Sequence, residues 1–153
     1  GKIMALRKPL VIVSGKVREI ASSDTLDAAI IEIEVLSLVN GEAGAITIGQ
    51  AVYISAADTV KKAKADASGT SDVTGFVVDT TIASSASGSI QTGGTLTGLS
   101  GLTAGSRYYL SAATAGAITT TPPSGSGQFI VPVGFAVNTT DILIEFEPSI
   151  QLA

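Results

Sequence analysis

The sequence predicts an all-β fold: a compact barrel or sandwich of two pseudo-repeated β units, preceded by an N-terminal β arm. Three observations predict it. A twelve-residue phrase, Ile46 to Ala57, returns as Leu102 to Ala113 with six identical positions and two Ile-to-Leu exchanges. Two further matches follow in the same order: Gly75-Phe76-Val77-Val78-Asp79-Thr80-Thr81 with Gly134-Phe135-Ala136-Val137-Asn138-Thr139-Thr140, and Ser89-Ile90-Gln91 with Ser149-Ile150-Gln151. The offset drifts from 56 to 59 to 60, as expected if loops gained residues between matched strands. Finally, the apolar stretches are short, alternate with polar residues, and are punctuated by Gly, Pro, Asn and Ser.

Taken in order, Leu6 to Ile20 reads as two short strands around a Ser14-Gly15 turn, with Pro9 ahead of Leu10-Val11-Ile12-Val13 and alternation through Lys16 to Ile20. Arg7, Lys8, Lys16 and Arg18 collect here, either as a solvated face or as a docking arm. Ala21 to Ala29 is a loop or a single helical turn capped by Ser23 or Asp24. Ile30 to Val39 has period 2, with Ile31, Ile33 and Val35 on one face and Glu32, Glu34 and Leu36 on the other, so it is a strand, closed by an Asn40-Gly41 turn.

In the first repeat, Val52 to Ser55 is a strand. Val60 to Ala65 has the composition of a helix, but its counterpart, Ala117 to Thr121 before Pro122-Pro123, is β-branched and cannot be one. Both are therefore return strands of hairpins. Val73 to Val78 is a buried strand and Ala83 to Gly88 a flexible loop. Gln91 to Leu102, rich in Gly and Leu, joins the halves. Tyr108 to Ser111 repeats the first strand, Pro122 to Gly127 is a loop tip, and Phe129 to Val137 is a strand in which Pro132 marks an edge or a bulge. Asp141 to Glu147 alternates and ends the fold before Pro148. The division is residues 1–40 as the arm, with 1–3 as a tag remnant ahead of a start at Met4, and 41–153 as the twin-repeat domain, its halves about 41–91 and 98–151. Phe76 and Phe135 are expected to be equivalent core anchors.

Charged residues are 14% of the 153, against roughly 25% in an ordinary domain. Between Asp79 and Asp141 the only charge is Arg107. A long neutral β segment aggregates unless its edges are paired or covered, which suits a closed barrel, an obligate assembly, or both. A net charge of −4 argues against nucleic acid as the main partner. No apolar run reaches the roughly 18–20 residues of a membrane span.

With no His and no Cys, the Ser-His-Asp and Cys-His nucleophile arrangements and the common zinc sites lack their residues. Gly93-Gly94 and its neighbours lack the Gly-Lys-Ser/Thr ending of a phosphate loop. Glu32 with Glu34, and Glu145 with Glu147, sit at strand spacing and could flank a sugar or hold Ca²⁺, but solvent-facing strand residues have the same pattern. Asp79 and Asn138 occupy equivalent places before Thr-Thr, as an Asx-type turn requires. Tyr53, Tyr108 and Tyr109 could stack on sugar rings or pack in the core. No catalytic residue, cofactor or metal is expected, and the chain is not read as an enzyme.

Two stretches carry a resemblance. Ala5-Leu6-Arg7-Lys8-Pro9-Leu10-Val11-Ile12-Val13-Ser14-Gly15 with Asp24-Thr25-Leu26 resembles the opening of small tailed-bacteriophage virion proteins and fibres. Gly94 to Ser111, with Thr119 to Pro123 and Gly127 to Gly134, is similar to a β module found in tail fibres, head fibres and capsid decoration proteins. The resemblance implies a non-enzymatic virion structural protein, a component of the capsid surface or of the tail, which self-associates as a homotrimer and docks onto other virion proteins. The alternative it implies is a fibre module that binds a host surface glycan through the three tyrosines and the loops 83–88 and 122–127.

Overall fold

A computed structural model describes residues 10–13, 16–19 and 34–153, and the chain divides into two compact units, Gly1–Ile31 and Glu32–Ala153. In the first unit, β1 (Leu10–Val13) and β2 (Lys16–Glu19) form an antiparallel hairpin with Leu10 opposite Glu19 and Val13 opposite Lys16. The loop or turn expected at Ala21 to Ala29, and the start of the strand expected at Ile30, lie outside the described residues.

The second unit is all-β among its described residues, and its strands fall into two sets with the same internal order. The first set is β3 (Val35–Asn40), β5 (Ala51–Ala56), β6 (Thr59–Lys62), β7 (Gly75–Val77) and β9 (Ser87–Gln91), which close a barrel in the order β3-β6-β5-β7-β9. The second is β10 (Gly94–Leu96), β11 (Arg107–Leu110), β12 (Ile118–Thr119), β14 (Pro132–Ala136) and β15 (Ile142–Ile144), an open sheet in the order β10-β15-β14-β11-β12. Around them lie two small ribbons, β4 (Ile46–Thr47) with β8 (Thr81–Ile82) and β13 (Phe129–Ile130) with β16 (Ile150–Gln151). Val60 to Ala65 is no helix; Thr59–Lys62 pairs with β5 as Ile118–Thr119 pairs with β11.

The registers show that the two sets are copies. Val52 faces Gly75 and Ala51 faces Phe76; in the second set Tyr108 faces Gly134 and Arg107 faces Phe135. Tyr53 faces Lys61 as Tyr109 faces Thr119. The turn inside the repeated phrase is also reproduced. Gly49 donates to the Val77 carbonyl at 2.9 Å and Gly105 to the Ala136 carbonyl at 2.8 Å, with φ of 78° and 76° at the two glycines. A side chain on either residue would be strained at such a φ, so glycine recurs there.

The third sequence match fails. Val77 faces Ile90 in β9, and its counterpart Ala136 faces Ile142 in β15, so the partner of Ser89-Ile90-Gln91 is Asp141-Ile142-Leu143. The offset therefore falls to 52 (Ile90 to Ile142). Ser149-Ile150-Gln151 belongs instead to the ribbon with Phe129–Ile130, so the fold continues past Pro148. The drop in offset has a structural cause. The first copy carries an extra excursion, Thr80 to Gly88, whose β8 places Ile82 in the barrel core, 2 % exposed. Only its Ser84-Ser85 tip is a turn, and Ser87–Gln91 is strand, so the loop expected at Ala83 to Gly88 is shorter than the composition suggested. The pairing likewise places Val35–Asn40 in the first copy and Gly94–Leu96 in the second, ahead of residues 41 and 98. Gly94-Thr95-Leu96 is thus the opening strand of a copy where a joining segment was expected.

Two cores result. Leu38, Ile46, Val52, Val60, Val77, Ile82 and Ile90 fill the barrel. A larger cluster unites the inner face of the second sheet (Leu96, Tyr108, Leu110, Ala136, Ile142, Ile144) with the outer face of the barrel (Ala51, Phe76). Backbone bonds stitch this junction: Ala51 N–H to Gly116 C=O at 2.9 Å, Gly116 N–H to Ala63 C=O at 2.7 Å and Ala65 N–H to Ser111 C=O at 3.0 Å. Phe76 is fully buried there and stacks on Phe146 at 6.0 Å between ring centroids. Phe135, on the outer face of the second sheet, is only half-buried, so the two phenylalanines are not equivalent core anchors. The second copy covers the first copy's outer face at Ala51 and Phe76, whereas Leu143, on the second copy's outer face, stays 41 % exposed.

Pro132 does sit at a bulge: opposite Tyr108 and Tyr109 the register jumps from Gly134 to Pro132. Asn40 is more than a turn residue. It ends β3 fully buried, and its side-chain amide donates to the carbonyls of Gly44 and Ile82, both at 2.9 Å, while its Oδ1 accepts from the Glu42 N–H at 2.8 Å. Asn40→Ala leaves these three backbone groups without their partner and is expected to cost about 3 kcal/mol, read as a shift of the urea midpoint. A midpoint unchanged from the parent protein would contradict this assignment.

Candidate functional site

The feature that distinguishes the two copies is the outer face of the second sheet. Strand pairing sets Thr95, Leu143, Phe135 and Arg107 side by side across β10, β15, β14 and β11. Side chains of directly paired residues project from the same face of a sheet, so these four form one row. Its counterpart in the barrel is Val35, Gln91, Phe76 and Ala51. There Ala51 and Phe76 are wholly buried and Gln91 is 4 % exposed, while Val35 at the end of the row is 48 % exposed. In the second copy Leu143 is 41 % exposed and nearby Val137 57 %.

Arg107 stands where the first copy has alanine. Its guanidinium lies over the Phe135 ring, 4.4 Å from the centroid, and donates to Glu147 Oε1 at 2.6 Å. That hydrogen bond raises the Arg107 pKa, with smaller support from the charges of Glu147, Tyr109 and Glu145 and opposition from desolvation. The two side chains are 32 % and 40 % exposed, so the ion pair adds little to the stability of the fold. Sequence reasoning singled out Arg107 only as the lone charge of a neutral stretch. Its place opposite Phe135, in the position of a buried alanine, was the stronger signal.

The residues proposed from sequence scatter. Arg7 and Lys8 lie outside the described residues; Lys16 and Arg18 are on β2, and their side chains are outside the description as well. Tyr108 is a core residue, 6 % exposed, whose hydroxyl accepts the Thr103 N–H at 2.9 Å. Tyr53 and Tyr109 are half-buried at equivalent places in the two copies. Glu145 and Glu147 do not act as a free carboxylate pair, because Glu147 is committed to Arg107. Glu32 lies outside the described residues, and exposed Glu34 accepts from Thr92 Oγ1 at 3.3 Å. No group of three or more acidic, His or Cys side chains suited to a metal ion occurs among the described residues. Asp79 and Asn138 make the same bond across the two copies, to the N–H of Ser89 and of Asp141, both at 2.8 Å. Only Asn138 also forms the tight Asx turn, accepting the Thr140 N–H at 2.7 Å.

Two clefts flank β12 on the described surface. One, of about 310 Å³, is lined by Ser111, Thr119, Thr121, Pro122, Ser124 and Gln128 among others. The other, of about 250 Å³, lies between Ile48-Gly49, Gly98 to Leu102 and Ile118. No protein-family model matches the chain, and neither a curated protein nor a solved structure matches it.

Proposed function

We propose that the chain is a non-enzymatic bacteriophage virion structural protein, a capsid decoration or a tail or fibre component, which self-associates and docks onto the particle. The observation that supports this best is the uncovered outer face of the second sheet. It repeats the plan of a face that the chain itself buries at Ala51 and Phe76, and it leaves Leu143 and nearby Val137 exposed beside Phe135 and the Arg107–Glu147 pair. A face of that kind favours protein contact. The neutral stretch between Asp79 and Asp141 extends the same character over most of the second copy.

Light scattering coupled to size exclusion tests the reading. At micromolar concentration the protein is expected at the mass of a trimer, and Leu143→Asp, on the exposed face, is expected to shift it towards monomer. A parent protein that is monomeric throughout contradicts the proposal.

The alternative, a host-glycan-binding module of a phage fibre, has one observation in its favour. The 310 Å³ cleft is lined by hydroxyls and an amide and borders the Pro122-Pro123 loop. A glycan array with the parent protein and Tyr109→Ala, whose cross-strand partner Thr119 lines the cleft, separates the two. Retention that is lost in the variant favours the glycan reading, and no retention leaves the structural one.

A further inference from the structure

Asn40 and Gly41 stand at the seam that closes the first barrel, where β3 runs parallel to β6. Val39 N–H donates to Asp58 C=O and Gly41 N–H to Val60 C=O, both at 2.8 Å. The counterparts of these four residues are Leu99, Gly116, Gly101 and Ile118, and in the second copy the seam is not formed. Leu99 N–H donates to Thr140 C=O at 2.9 Å, and Gly116 C=O accepts from Ala51 of the first copy. Asn40 itself has Ser100 as its counterpart, and Ser100 is exposed. The asparagine thus belongs to the copy that closes.

Asn40 also fastens the excursion Thr80 to Gly88, which the second copy lacks. Its N–H donates to Ala86 C=O and its C=O accepts from Ser85 N–H, both at 2.9 Å, and its side-chain amide reaches the Ile82 carbonyl at the same distance. The glycine that follows is kept for a different reason: a Cβ on Gly41 would stand 2.6 Å from Thr59 Cγ2. Packing therefore sets side by side two residues whose junction is chemically weak. Asparagine is thermolabile, and most so before glycine, which has no side chain to hinder attack by its own nitrogen. The chain's other asparagine, Asn138, precedes Thr139.

We propose that Asn40-Gly41 is a latent modification site, closed by the native fold and opened by unfolding, whose reaction makes loss of the barrel irreversible. The reaction is intramolecular. The Gly41 nitrogen attacks Asn40 Cγ, the Cγ–Nδ2 bond breaks, and ammonia leaves with the proton that Gly41 gives up. Water then opens the five-membered imide, at Cγ to give aspartate or at the main-chain carbonyl to give isoaspartate. In the native fold neither reactant is free. The Gly41 N–H is bonded to Val60 C=O, the carboxamide is held by three backbone groups, and Asn40 is wholly buried. Unfolding removes all of these restraints, and the product no longer fits the seam. An aspartate has no donor for the Gly44 and Ile82 carbonyls and would bury its charge against them. An isoaspartate lengthens the main chain by one carbon between Val39 and Gly41, so the two seam bonds that flank it cannot form together.

Peptide mass spectrometry of the full chain, incubated at one pH and temperature either native or unfolded in guanidinium chloride, tests it. Deamidation at Asn40 is expected to be at least about a hundredfold slower in the native protein, because it must await opening of the seam. When the denaturant is removed, chains that carry aspartate or isoaspartate at this position are expected to be depleted from the folded fraction. Asn40→Asp, which makes one product directly, is expected to lower the guanidinium midpoint or to leave the chain unfolded. Equal rates in the native and unfolded protein overturn the lock. Deamidated chains that refold as fully as the parent, or an Asn40→Asp midpoint equal to the parent's, overturn the irreversibility. The comparison of rates uses the parent chain alone and holds even where the variant does not fold.

Discussion

Phe76→Ala is expected to cost about 3–5 kcal/mol of unfolding free energy, as for other large buried aromatic truncations. The ring is fully buried where the barrel's outer face meets the second sheet, and it stacks on Phe146. Its removal leaves a cavity in the larger of the two cores, walled by strands of both copies that cannot easily collapse. Phe135→Ala, at the equivalent position of the second copy, is expected to cost about 1 kcal/mol, chiefly the contact with the Arg107 guanidinium. Urea denaturation of the two variants reads the difference directly. Equal losses would mean that the two outer faces are covered alike, contrary to the packing described here.

The second large effect is expected at the paired glycines. A Cβ on Gly75 would stand 2.5 Å from the Gln91 carbonyl oxygen, and a Cβ on Gly134 would press on the carbonyl oxygen of Leu143. Gln91 and Leu143 are themselves equivalent, so both copies keep glycine for one reason: a neighbouring strand's backbone passes too close for a side chain. Backbone cannot rotate away as a side-chain tip can. Overpacking costs about 1–3 kcal/mol, and Gly134, at φ 154°, adds backbone strain of about 1–3 kcal/mol. Gly134→Ala is therefore expected to lose about 4 kcal/mol in total, and Gly75→Ala about 2 kcal/mol. Thermal unfolding checks both. A Gly134→Ala protein that melts with the parent would contradict the close approach.

The all-β character and the duplication were legible because they rest on local signals. The phrase Ile46 to Ala57 and its echo encode a turn glycine, a buried Ile46 or Leu102 and a strand, all within a dozen residues. The helix-like Val60 to Ala65 was read correctly because its copy at Ala117 to Thr121 could not be helical. The third match misled because short runs such as Ser-Ile-Gln recur by chance in this composition, and strand partnership is a non-local property. The true counterparts, Ile90 and Ile142, share one identity and little context. Asn40 looked like a turn residue because Asn-Gly is a turn signal; its burial depends on the Ile82 carbonyl, 42 residues away. Phe135 could not be told from Phe76 by pattern, since burial of the barrel's outer face is decided by where the second copy packs.

The candidate face was less legible still. Its row of Thr95, Leu143, Phe135 and Arg107 is assembled from four strands whose register no local signal specifies. Arg107 carried a hint, because it replaces alanine at one of the four unmatched positions of the repeated phrase. The tyrosines carried none that separated core from surface, and Tyr108 turned out to fill the position of Val52 in the inner face.

The claim beneath all of this is that one β unit occurs twice, closed the first time and open the second. NMR couplings transmitted across hydrogen bonds test it most directly. The account predicts a coupling from the Gly41 amide to the Val60 carbonyl in the first copy, and from the Leu99 amide to the Thr140 carbonyl in the second. A coupling from the Leu99 amide to the Gly116 carbonyl, the bond that would close the second barrel within the chain, would contradict it.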